Sequence, residues 1–172
     1  RARQPSWHNA PVESAGPLGA RLLIAGLAPG LKGANRTGRP FTGDFAGDLL
    51  YPTLLEFGFA AGAYGRAADD GMTLEDCRIT NAVRCVPPQN KPLGAEIAAC
   101  RPFLASEIAA MANLRVVVAL GGLAHNAFLA GIEVRKSAYR FGHCAVHEVA
   151  FGERALMLTD SYHCSRYNTN TG

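Results

Sequence analysis

Four short apolar runs, each followed by a polar segment, constrain what this chain can fold into. Residues 21–27 (RLLIAGL) form a nearly continuous apolar run, the pattern of a strand buried on both faces of a parallel sheet. Residues 77–83 (CRITNAV) repeat it and are closed off by Pro87-Pro88; residues 114–120 (LRVVVAL) are the clearest case, and residues 155–159 (ALMLT) the last. Helical periods lie between them. Leu49, Leu50, Thr53, Leu54 and Phe57 recur at helical spacing, with Gly58 as a stop. Ile97, Cys100, Leu104, Ile108 and Met111 make a second stripe over residues 94–111, where Pro102 either starts a new helix or kinks a long one. Gly121-Gly122 lead into a third helix through Ile132. Residues 60–75 read as a connecting loop, and residues 143–151 as an extra edge strand or hairpin arm. Strands alternating with helices predict an α/β sandwich on a mostly parallel sheet.

In such folds ligands bind beyond the carboxyl ends of the strands. Three polar segments follow strands here: residues 26–44, 81–91 and 161–172. They are expected to converge on one rim of the sheet. The first, GLAPGLKGANRTGRPFTGD, holds five glycines and two prolines together with Lys32, Arg36, Arg39, an aromatic and a carboxylate. Ordinary connections in α/β units run to about two to six residues, so a loop this long in a compact domain points to function.

With 172 residues, 48% hydrophobic and 18% charged, the chain has the size and make-up of one soluble globular domain. No apolar run approaches the length of a membrane span. The formal charge of +3 is weak support for a polyanionic partner. The five cysteines, Cys77, Cys85, Cys100, Cys144 and Cys164, form no CxxC pair, and an odd number argues against a disulfide framework. Arg1 at one end and a polar run to Gly172 at the other read as a single domain, residues 1–172, truncated at both ends.

Several chemistries are excluded by motif. There is no G-x-x-x-x-G-K-[ST] phosphate loop, no G-x-G-x-x-G after the first strand, no G-x-S-x-G elbow and no H-E-x-x-H or compact His/Cys zinc cluster. What the three segments bring together is Phe41, Asp44, Asn81 and His163. Phe41 suits stacking on a planar ring. Asn81 offers a donor and an acceptor to the edge of a pyrimidine. His163 suits an anionic oxygen, Asp44 a water, and Lys32, Arg36, Arg39, Ser165 and Arg166 suit phosphates. Taken singly, Phe41 reads as core and Asn81 as a structural hydrogen-bonder. Jointly they describe a pocket for a nucleobase taken out of the stack.

The stretches GLAPG (residues 26–30), GANRTGRPFTGD (33–44), TNAVRCVPPQNKP (80–92) and HCSRYNTNTG (163–172) give the chain its resemblance to type-b (family 5) uracil-DNA glycosylases, over nearly its full length. The resemblance implies a three-layer α/β/α sandwich with a central four-stranded, mostly parallel sheet. It implies a cytoplasmic bacterial repair enzyme, acting as a monomer on single- or double-stranded DNA that contains damaged bases, away from any membrane. By the same resemblance Phe41 stacks on the everted base, Asn81 reads its edge, His163 contacts O2 and Asp44 handles the water. Gly26, Ala28 and Gly30 line the base, and Asn168 supports the His163 loop. Lys32, Asn35, Arg36, Arg39, Ser165, Arg166, Tyr167 and Asn168 face DNA, with Tyr167 or Arg166 filling the gap that the base leaves.

The family also carries a [4Fe–4S] cluster on four cysteines. Cys85 and Cys100 match its second pair, while its first pair falls upstream of Arg1; two ligands do not hold a cubane. The expectation is therefore a cluster in the intact protein and an incomplete ligand set in this chain. Ala28 stands where other branches of the superfamily place Asp or Asn to position water, which leaves Asp44 as the nearest carboxylate in the loop. Gly30 stands where the most uracil-specific branch has a tyrosine, so a broader choice of deaminated bases, hypoxanthine among them, is expected. The alternative is a non-catalytic module that reads DNA lesions on the same scaffold.

Overall fold

A computed structural model describes residues 4–169 of the chain. Its centre is a five-stranded sheet in the order β4-β1-β5-β7-β6. Strand β1 is Leu22–Gly26, buried at every position, and it pairs in parallel with β4 (Cys77–Asn81) on one side and β5 (Val116–Leu120) on the other. Strand β5 pairs in parallel with β7 (Arg154–Ser161). The four parallel strands are those read from the apolar runs. The fifth, β6 (Val146–Phe151), is antiparallel to β7 and is the arm of a hairpin turned at Gly152. The sheet thus has one strand more than the four implied by the resemblance.

Alternation along β1 divides the core. Leu22 and Ile24 face a cluster with Leu50, Tyr51 and Leu54, carried by helix α2 (Phe45–Glu56). Leu23 and Ala25 face the opposite cluster, with Leu104 and Ile108 of helix α3 (Gly94–Ala110) and Phe128 and Leu129 of helix α4 (Gly122–Gly131). These are the three layers of the sandwich. Helix α3 is one element with Pro102 inside it, which decides between the two readings of that proline. The segment 60–75, expected as plain loop, holds a small antiparallel pair, β2 (Ala60–Ala61) and β3 (Thr73–Leu74). The outer edge of β4 is covered by the amino-terminal segment, where Ala15 bridges to Ile79, so the edge does not stand open as a template for pairing.

The parallel register brings the strand ends into line. Gly26 lies opposite Asn81, and Leu120 opposite Ser161. The segment after β1 folds over this rim through a single helical turn, α1 (Ala34–Thr37), and the segment after β7 passes into a second, α5 (Arg166–Thr169). The chain passes from β1 to β4 on one side and then back across β1 to β5 on the other, and such a reversal of strand order opens a crevice at the rim. No helix among the described residues is long and apolar enough to cross a membrane.

Candidate active site

Asn81 closes β4 and is buried, 5% exposed. Its Oδ1 is fully enclosed and has no hydrogen-bond partner among the described residues. Across the strand pair stands Gly26, where a Cβ would run into both the Asn81 amide oxygen and the Phe41 ring, the latter at 2.5 Å from Cζ. Only glycine at position 26 lets the Asn81 amide and the Phe41 ring meet over β1. Phe41 is held at φ 53, a left-handed conformation uncommon for a bulky residue. Its ring stacks against the His163 imidazole at 5.8 Å between centroids and an interplanar angle of 30°.

His163 follows β7 in an extended segment and is half-buried. Its carbonyl oxygen accepts a hydrogen bond from Asn168 Nδ2 at 2.8 Å, which ties the histidine segment to α5. Burial lowers the His163 pKa below its ordinary value, and the nearby Asp44 carboxylate opposes that shift only in part. At neutral pH the imidazole is therefore mainly uncharged. Asp44 caps α2, its Oδ1 accepting from the Gly47 backbone N–H at 3.3 Å. Its other oxygen lies against Gly30 and Gly33, 3.1 Å from where a Gly30 side chain would begin.

These groups surround one cavity of about 290 Å³, lined by Leu27, Ala28, Pro29, Gly30, Ala34, Phe41, Asp44, Ala46, Asn81, Asn90 and His163. The volume sits at the small end of the ~300–1,000 Å³ usual for small-molecule sites. All three polar segments contribute to it. The mixture is one flat aromatic face, one amide with an empty acceptor, one neutral imidazole and one carboxylate. Such a set can sandwich a planar heterocycle, pair with its edge and place a water beside it.

The basic residues separate into two groups. Lys32 and Arg36 are exposed on the loop after β1, Arg36 donating to the Gly43 carbonyl at 3.1 Å. Arg166 is exposed and lies over the Phe45 ring at 5.1 Å, with Tyr167 exposed and Ser165 half-buried beside it. The other two depart from expectation. Arg39 is 9% exposed and its guanidinium is spent on Asp70, at 2.8 and 2.7 Å, and on Thr42. Asn35 is 7% exposed and donates to Asn9 Oδ1 at 3.1 Å. Arg39 and Asn35 are therefore tied into the loop from within, and burial leaves each little side chain toward solvent. The last three residues of the HCSRYNTNTG stretch lie outside the described residues.

Sequence reasoning missed Asn90, which lines the cavity from the segment after β4, and Asp70, which holds Arg39. Asn90 carried a faint signal, a Gln-Asn pair after two prolines; both residues adopt positive φ, 54 and 57. Asp70 carried none, being one acidic residue in a Gly/Ala/Asp-rich stretch.

The cysteines do not form a metal centre here. Cys85 is exposed and Cys100 half-buried, while burial pushes the Cys77 thiol up to about 12 and the Cys164 thiol to about 11. No group of three or more His, Cys, Asp or Glu side chains that could hold a metal ion occurs among the described residues. The thiols present thus do not fit a [4Fe–4S] cluster, which takes four.

The family model of the uracil DNA glycosylase superfamily matches residues 13–172. The chain is 45% identical to a type-5 uracil-DNA glycosylase of Thermus thermophilus over 169 residues, covering 98% of this chain and 75% of that protein. It is 44% identical to a type-5 uracil-DNA glycosylase of Mycobacterium bovis over 174 residues, 99% of this chain and 63% of the relative. A type-4 uracil-DNA glycosylase of Thermotoga maritima is 38% identical over 124 residues, 72% of this chain and 56% of that protein. The chain thus spans about two thirds to three quarters of the length of its type-5 relatives. With matches that cover the whole α/β sandwich and all three segments around the cavity, this chain belongs to the uracil DNA glycosylase superfamily.

Proposed function

We propose that this chain is a DNA-repair glycosylase that hydrolyses the N-glycosidic bond of uracil in DNA and leaves an abasic site. The observation that carries this reading is the buried Asn81 Oδ1 without a partner, at a cavity walled by Phe41 and His163. An unsatisfied buried acceptor costs about 1–3 kcal/mol, and a ligand N–H donor removes that penalty. Uracil supplies it: its N3–H donates to Asn81 Oδ1 while its O4 accepts from the Asn81 amide N–H. Cytosine presents an acceptor and a donor in the reverse order and is rejected.

In the reaction, water adds across the bond between C1′ and N1. The hydroxyl goes to C1′ and a proton goes to the departing base. Positive charge grows on the sugar and negative charge on the base, at O2 and O4. Phe41 holds the ring flat, and His163, mainly neutral and stacked beside it, donates to O2. A preorganised donor of this kind typically contributes ~2.7–4 kcal/mol. Asp44 receives the attacking water, since Ala28 offers only a methyl group. Lys32, Arg36, Ser165, Arg166 and Tyr167, on the same segments that supply Phe41 and His163 to the cavity, meet the duplex backbone, so binding weakens steeply with salt. Mispaired uracil is extruded more easily than paired uracil, which favours G·U over A·U. Gly30 leaves space on the pocket wall for hypoxanthine. The enzyme works as a monomer. Cys85 and Cys100 alone do not supply the four thiolates of a [4Fe–4S] cluster, and iron and sulfide analysis of the purified protein tests whether it holds one.

The test is formation of alkali-labile sites in oligonucleotides carrying uracil, hypoxanthine or thymine mispairs. Cleavage at uracil is expected. Tight binding to the same duplex without cleavage refutes catalysis and leaves a lesion-reading module.

A further inference from the structure

Phe41 is the one aromatic among the described non-glycine residues at positive φ. Such a conformation costs about 1–3 kcal/mol and persists only where its surroundings over-determine it. The surroundings are specific. On one side of Phe41, the Pro40 carbonyl accepts from the Tyr51 hydroxyl at 2.6 Å and from the Thr42 hydroxyl at 3.1 Å. On the other, the Gly43 N–H donates to the Tyr64 hydroxyl at 3.3 Å. Tyr51 and Tyr64 stack on each other at 4.7 Å. Arg39 lies over both rings, at 4.9 and 5.8 Å, and its Nε donates to Thr42 Oγ1 at 2.8 Å.

Arg39, which joins these contacts, is itself held by one carboxylate. Asp70 receives the Arg39 fork on both oxygens and also accepts from the Gly65 and Met72 backbone N–H groups, at 2.8 and 3.1 Å. Its side chain is 5% exposed. A bidentate Arg–carboxylate pair fixes direction as well as distance, so Asp70 sets where the guanidinium lies and through it where residues 40–43 run. It is not among the residues that line the cavity.

We propose that Asp70 is a positioning residue for base excision: through the Arg39 fork and the paired tyrosines it holds Phe41 in the backbone conformation that presents its ring to the everted base. This rests on the reading of Phe41 as the stacking face. Without Asp70, the buried guanidinium loses its partner, the 39–43 backbone relaxes toward negative φ, and the ring leaves the cavity wall. The duplex contacts at Lys32 and Arg166 do not pass through this cluster, and Arg36 meets it only at the Gly43 carbonyl.

The experiment compares wild type, Asp70→Asn, Asp70→Glu and the exposed neighbour Asp69→Asn. Three measurements are made: single-turnover cleavage of a uracil duplex, affinity for a duplex with a stable abasic-site analogue, which has no base to stack, and amide hydrogen exchange across residues 41–44. Asp70→Asn is expected to cut the cleavage rate at least tenfold and to hold abasic-site affinity within about twofold. It should also accelerate exchange at residues 41–43. Asp70→Glu should recover part of the rate, and Asp69→Asn should match wild type. Should Asp70→Asn fail to fold, Tyr64→Phe removes only the hydroxyl that meets Gly43 and is expected to shift rate and exchange in the same direction by less. Unchanged exchange in residues 41–44, or rate and abasic-site affinity falling in equal proportion, overturns the proposal. Wild-type protein that cleaves no uracil refutes the glycosylase reading instead, whatever the exchange shows, and takes the role of the clamp in catalysis with it.

Discussion

Replacing Gly26 with alanine adds one methyl group and tests the whole geometry of the site. That carbon would lie 2.5 Å from Phe41 Cζ and 2.9 Å from Cε2, and closer still to the Asn81 amide oxygen. Carbon pairs settle at about 3.5–4.0 Å, so the ring has to retreat by about 1 Å, and the amide must turn away with it. The atoms in the way are side-chain ends, not backbone, so the sheet survives. The site does not. A misplacement of ~1 Å costs on the order of 10²-fold in rate, equivalent to about 2.7 kcal/mol of barrier. The overpacking itself destabilises by about 1–3 kcal/mol, and each kcal/mol lowers Tm by roughly 2–4 °C for a domain of this size. Single-turnover cleavage of a G·U duplex under saturating enzyme, beside a melting curve, separates the two effects. A folded Gly26→Ala protein that cleaves within about twofold of wild type would show that Asn81 and Phe41 do not grip the base.

His163→Ala should reduce the single-turnover rate by about 10²–10³-fold, the effect of one lost donor to the leaving anion, with duplex affinity little changed; a near-normal rate would remove His163 from leaving-group stabilisation. Gly30→Tyr should narrow the range of excised bases, measured as the ratio of uracil to hypoxanthine cleavage. Since the new Cβ starts 3.1 Å from the second Asp44 oxygen, some rate on uracil is lost as well, and unchanged selectivity would count against Gly30 as the open wall. Burial holds the His163 pKa below 6.5, so between that depressed value and 6.5 the unfolded chain binds more protons than the folded one. The contribution is therefore intact above about pH 6.5 and is lost on acidification. Urea midpoints from pH 7 down to 5 should fall less in His163→Ala than in wild type; parallel slopes would place the proton uptake elsewhere.

The four apolar runs specified their strands from local pattern alone, because a parallel strand buried on both faces needs an unbroken hydrophobic stretch. The same rule explains why β6 stayed ambiguous. An edge strand with one covered face, carrying Glu148 and His147 between Val146 and Val149, lacks that signature. The short β2–β3 pair was missed for want of length: two residues per strand carry no period.

For the site, residue type and chain order were enough to bring Phe41, Asp44, Asn81 and His163 to one rim, since polar segments that follow parallel strands must emerge on the same side. Which charged side chains face outward was not legible. Arg36 and Arg39 are three residues apart in one loop, yet Arg36 is exposed and Arg39 is buried against Asp70. That outcome depends on a partner from the loop between β2 and β3 and on two tyrosines from separate segments. The sequence alone thus determined the layers of the fold and the candidates for chemistry, because both follow from hydrophobic period and from side-chain type. Only the tertiary structure decided that Asn81 Oδ1 lacks a partner among the described residues and that Arg39 has one, because satisfying a buried polar group depends on which distant segments come within about 3 Å.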